Sequence, residues 1–183
     1  MSRNLEFDLL IAEHKNYFSN LNGISPELTL PILCDMAATY EAKDTDYSSN
    51  GKPMGNLRSS EEVGVPAWKG VLIRMKDKKS RILSFAQRGE FLVKDEQITD
   101  TLIDLAVYAI LGSILLKEVH PDSNVLDEYK NLTRNAILCK VIYKLNDKTS
   151  IPWNESEYFK NILTSFDKIA DYAKQVVDTS ISV

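Results

Sequence analysis

The sequence predicts an all-α fold, a helical bundle of about six helices, and three observations carry that expectation. Only seven glycines and six prolines occur in 183 residues, so long stretches run without a breaker. Apolar residues recur at three- and four-residue spacing, the period of a helix with one buried face. Several of these stretches are bracketed by residues that start or stop helices.

The elements follow in order. Phe7, Leu10, Ile11, His14, Tyr17 and Phe18 define a first helix over about 5–21, stopped by Asn22-Gly23. The second starts at Ser25 as N-cap, with Pro26 in its first turn and Glu27 placed favourably for the helix dipole. It runs toward Ala42, with Pro31 as a possible kink. Residues 43–64 hold Gly51, Gly55 and Gly64 and read as a long loop, a length usually tied to function. A third helix spans about 66–87 and ends at Gly89, with Trp68 expected in the core. A fourth spans about 95–119 and ends at His120-Pro121. A fifth covers about 125–145, and a sixth about 155–177, capped by Asn154 or Ser156. Tyr158, Phe159, Phe166 and Tyr172 on the sixth read as packing residues. The division expected is a core over 1–124 and a helical pair over 125–183, packed on the core or at an oligomer interface.

Composition narrows the function. A net charge of −4 argues against strong duplex nucleic-acid binding. Two histidines and two cysteines, Cys34 and Cys139, without a CxxC argue against zinc, and both thiols are expected buried. Residues 1–7 lack a signal-peptide apolar core, and the longest apolar run, 105–116, falls short of the roughly 20 residues that span a bilayer. No membrane partner is expected, and the expected location is cytoplasmic.

The fourth helix carries the chemical information. It is apolar nearly all round, which predicts burial, yet Glu96, Asp100, Asp104 and Tyr108 recur every four residues. Four residues advance about 40° around a helix, so these side chains form a slowly winding polar stripe. A buried bare carboxylate costs several kcal/mol, so Asp104, between Ile103 and Leu105, needs a partner. Arg74, Lys78 and Arg81 share a face of the third helix and offer one. A divalent cation such as Mg²⁺, which takes oxygen ligands, is another. Acids and bases in this number suit a phosphate site as well as an internal salt-bridge network. Lys43 could meet a phosphate and Tyr47 could stack on a base, with Asp46 beside them at the end of the second helix. No GxxxxGK[ST] phosphate loop is present.

The ordered segments KDTDY, RMKDKKSRI and DTLIDLAVY resemble the nucleotide-modification-associated domain family of phages and bacteria, over about residues 38–118. That family is distantly similar to MazG-like, all-α nucleotide pyrophosphatases, which often form dimers or tetramers. The resemblance implies a MazG-like core of antiparallel helices with a C-terminal extension. It also implies a small-molecule nucleotide partner, a homo-oligomer, and location in the host cytoplasm if the protein is phage-encoded. By position it implies nucleotide contacts from Lys43, Asp46, Tyr47, Arg74, Lys78, Arg81 and Tyr108. The metal would be Mg²⁺, held by the matching Asp100, Asp104 and Asp77 together with Glu96 from the polar stripe, with Asp100 and Asp104 as catalytic carboxylates. The pyrophosphatases' ExxE pair is missing; Glu61-Glu62 falls in the loop. Three functions therefore stand side by side: a Mg-dependent pyrophosphatase or nucleotide-modifying enzyme, a non-catalytic sponge for a nucleotide or a nucleotide-derived defence signal, and a structural helical protein.

Overall fold

Gly89, with φ 78°, closes the third helix by donating its N–H to the Phe85 carbonyl, and a comparable local rule sets several other helix ends. The computed structural model describes residues 5–21, 24–47, 54–89, 97–145 and 152–176, without the side chains of 44 and 47. Among them lie α1 (Leu5–Ser19), α2 (Pro26–Tyr47), α3 (Ala67–Arg88), α4 (Ile98–Val119), α5 (Leu126–Lys144) and α6 (Glu157–Gln175), and no strand. The fold is an all-α bundle. Asn22-Gly23, Gly51, Asp95 and Glu96 lie outside the described residues.

Ser25 accepts from the Glu27 N–H at the start of α2, and Ser156 accepts from the Phe159 N–H at the start of α6. α2 overruns its expected end. Pro31 sits inside it on the exposed side, where the Glu27 carbonyl that loses its hydrogen bond faces water. The helix therefore continues to Tyr47 and carries Lys43 and Asp46 on its last turns rather than in a loop. The expected loop begins after Tyr47, and its described part, 54–64, is folded. It contains 3₁₀ turns at Gly55–Leu57 and Ser59–Val63, and Arg58 pins it to Glu118 of α4 through two contacts of 2.6 and 2.8 Å. Burial of α2 falls on Ile32, Leu33, Met36 and Tyr40, which turns Cys34 outward. The expectation of two buried thiols thus fails for Cys34. Cys139 is buried, and burial pushes its thiol up to about 12.

α4 is the axis of the bundle, and every residue from Ile98 to Leu116 is buried except Asp100 and Asp104. α3 and α5 flank it, both antiparallel. Lys78 meets Asp104 while Val71 lies beside Gly112; on the other side Tyr129 packs at Gly112 while Lys140 faces Asp100. α6 packs against α5, and α1 and α2 cover the remaining side, with the Phe7 and Tyr40 rings stacked at 3.8 Å. One buried core runs from α1 through α6, and Trp68 is inside it, 1% exposed. No described helix is long and apolar enough to cross a membrane.

Two positions in this core make tests. A Cβ at Gly112 would stand 2.8 Å from the ring of buried Tyr129. Gly112→Ala is therefore expected to lower stability by about 1–2 kcal/mol in urea denaturation, because the clash outweighs the gain in helix propensity. His14 is 1% exposed with its Nδ1 unpaired, and its pKa is lowered to about 4 by burial first and then by Arg134. The unfolded chain binds a proton here near pH 6.5 while the folded one refuses it until about pH 4. Stability is thus full above pH 6.5 and falls by up to about 3 kcal/mol on acidification to pH 4. His14→Phe should flatten that slope in denaturation curves taken across the same range.

Candidate functional site

Asp104 is held from two helices at once. Lys43 of α2 reaches its Oδ1 at 3.0 Å, and Lys78 of α3 reaches its Oδ2 at 2.6 Å. The carboxylate is 26% exposed and the two lysine side chains 16% and 18%, so the cluster is recessed yet open to water on one side. One turn further along α4, Tyr108 is buried and presents its ring to Lys43 at 4.0 Å. An ammonium over an aromatic face gains about 0.5–2 kcal/mol depending on desolvation.

The electrostatics follow from this geometry. Burial alone would raise the Asp104 pKa; the Lys78 hydrogen bond and the charge and hydrogen bond of Lys43 outweigh it and hold the carboxyl below its ordinary value. Burial would likewise lower Lys43, but Asp104 and then Tyr108 hold it above its ordinary value. Asp104 and Lys43 are therefore charged at neutral pH. Two ammoniums on one carboxylate leave a local surplus of one positive charge.

The other expected site residues distribute unevenly. Arg74 is half-buried and Arg81 exposed, and both continue the face of α3 that carries Lys78. Asp46 is exposed, and its backbone carbonyl accepts from the Asn56 side-chain amide, which ties the 3₁₀ segment back to α2. The side chain of Tyr47 lies outside the described residues. Asp77 is exposed on α3. Asp100 is exposed as well, contrary to the reading that placed it in the interior. It occupies the first turn of α4, where the helix end meets water and the dipole favours an acid.

The metal ligand set meets an obstacle. Among the described residues no group of three or more His, Cys, Asp or Glu side chains converges as metal ligands would. Both Asp104 oxygens face ammoniums, and Asp77 and Asp100 point to solvent-exposed positions. The described residues alone do not fit a Mg²⁺ site, and Glu96 lies outside them.

Lys140 of α5 belongs to the same polar seam and went unread in the sequence. It is 4% exposed and pairs with Asp35 of α2 at 3.6 Å. Burial and then Lys144 lower its pKa, against the raising influence of Asp35 and Asp100. Its signal was a single lysine inside the apolar run Ile137-Leu138-Cys139-Lys140-Val141-Ile142. Asp100 and Asp104 thus have separate company, with Lys140 near Asp100 and the lysine pair on Asp104.

No family model, curated protein or solved structure matches the chain.

Asp104→Asn tests the cluster. It leaves two recessed ammoniums without a counter-charge and is expected to cost about 2 kcal/mol at neutral pH, less than a fully buried pair because water reaches the site. A carboxyl with a depressed folded pKa stabilises fully above its unfolded value, 3.8, and loses that contribution as pH falls through the folded value. The stability gap between wild type and Asp104→Asn should therefore be constant above about pH 4 and close below it, as followed by urea denaturation across pH.

Proposed function

We propose that the protein binds a nucleotide, with its phosphates held by Lys43 and Lys78 and by the arginines that extend their face, Arg74 and Arg81. The observation that carries this reading is the pair of lysines converging on one partly exposed carboxylate. Asp104 fixes both ammoniums in place, so an incoming phosphate meets cations that are already ordered. It also neutralises only one of them. Phosphate oxygens accept several charge-assisted hydrogen bonds, and such a cluster supplies donors from two helices at one point. The resemblance of the three motif segments to nucleotide-handling proteins supports the same ligand class.

Within this reading, sequestration is favoured over hydrolysis. Catalysis through a divalent cation needs free carboxylate oxygens facing the substrate. Asp104 has both of its oxygens committed to lysines, and the remaining described acids do not gather around it. The protein would then hold its nucleotide intact, as a sponge does. A purely structural salt-bridge hub is the second reading, favoured by the complete pairing of Asp104, and it predicts no ligand.

The test is calorimetry against ribo- and deoxyribonucleoside mono-, di- and triphosphates and cyclic nucleotides, followed by denaturation and chromatography of the recovered ligand. The expected result is saturable binding with the ligand recovered unchanged. Lys78→Met and Lys43→Met should each weaken it by at least about tenfold, about 1.4 kcal/mol. Absence of binding across the panel supports the structural hub, and new products on the chromatogram overturn sequestration in favour of an enzyme.

A further inference from the structure

On the outside of the bundle, α3 and α6 touch only sparingly and leave an open cleft of about 660 Å³ between them. Leu72 and Leu83 of α3 and Phe166, Ala170 and Ala173 of α6 give it an apolar lining. The residues that each helix turns to the cleft recur three and four apart, so two helical stripes face one channel that no other described helix fills. That geometry is the one a third helix fills, by helix-in-groove packing.

The rim specifies what kind of helix. Lys69, Lys76, Lys79 and Lys174 edge the cleft against one acid, Asp167, in a chain whose net charge is −4. Lys79 is paired with Asp167 and Lys174 with Asp171. Lys76 is exposed and has no ion-pair partner among the described residues. Beside it, Ile73 is 59% exposed. The complementary surface is a helix with a short apolar stripe and an unpaired acid.

The chain carries such a surface itself. Leu5, Asp8, Leu9 and Ala12 fall on one stripe of α1, and all four are exposed, on a different side from its buried Phe7, His14 and Phe18. The water side of a surface helix is normally polar. Here Leu5 is 71% and Leu9 58% exposed, and Asp8 has no partner among the described residues. With Val63 and Ile73, these leucines are the four most exposed large apolar side chains described.

We infer that the α3–α6 groove receives α1 of a second copy of this chain, with Leu5 and Leu9 against the apolar lining and Asp8 at Lys76. Reciprocal exchange about a two-fold axis covers both surfaces on both copies and closes the assembly, so the contact does not propagate into a filament.

Analytical ultracentrifugation from low micromolar to several hundred micromolar chain tests this. The expected result is a concentration-dependent dimer. Ile73→Glu and Leu9→Glu should each weaken it at least about tenfold. Lys76→Asp and Asp8→Lys should each weaken it as well, and the combined charge swap should restore it. All four positions are exposed, so circular dichroism should show unchanged helicity, and the charge swap reads the contact independently of fold. A mass of one chain throughout the range overturns the inference. So does a dimer indifferent to both glutamate variants, or one sensitive to Ile73→Glu but not to Leu9→Glu, which would assign the groove a different occupant.

Discussion

The bundle depends on a carboxylate that its central helix can neither bury bare nor release to water. α4 is enclosed from Ile98 to Leu116 with only Asp100 and Asp104 breaking the buried surface. Asp104 is tolerable there because two ammoniums from two other helices reach its two oxygens. The arrangement is mutual. Lys43 and Lys78 are themselves largely covered, and each is tolerable only because the carboxylate is present. One charge cluster therefore ties α2 and α3 to α4, beside the buried apolar packing that the three helices share.

The site inherits its properties from that constraint. A structural salt bridge needs one cation; this one has two, with the Tyr108 ring against Lys43. The second cation leaves the cluster with surplus positive charge, and the proposed phosphate binding rests on that surplus. The same commitment of Asp104 works against metal chemistry, since an oxygen already facing an ammonium is a poor ligand for a divalent ion. Phosphate binding and metal-dependent catalysis would make opposite demands on this one side chain, and the proposal of sequestration follows from its pairing.

Much of this was legible in the sequence. The helix starts at Ser25 and Ser156 and the stop at Gly89 are local signals, and the structure keeps them. The need of Asp104 for a cation followed from its apolar neighbours, and Lys78 followed from the basic face of α3. What failed was tertiary or marginal. Pro31 suggested an early weakness in α2, but its lost hydrogen bond faces water, so the helix extends and delivers Lys43 to Asp104 from a rigid element. Asp100 looked as buried as Asp104 because spacing does not reveal where a helix end emerges into solvent. Lys140 looked like an ordinary helix lysine because Asp35 and Asp100, which receive it, come from two distant stretches of chain. Cys34 looked buried by residue type, whereas the stripe of Ile32, Leu33 and Met36 sets the facing of α2.

The most direct test of the lysine–aspartate cluster is nuclear magnetic resonance of the lysine side-chain nitrogens, with Lys43 and Lys78 assigned by substitution with arginine. At neutral pH both ammoniums should give slowly exchanging signals, and addition of a nucleoside triphosphate should shift both while leaving the signal of Lys76 in place. Rapidly exchanging Lys43 and Lys78 signals that ignore every nucleotide would mean that the cluster neither holds its ammoniums in order nor receives a phosphate.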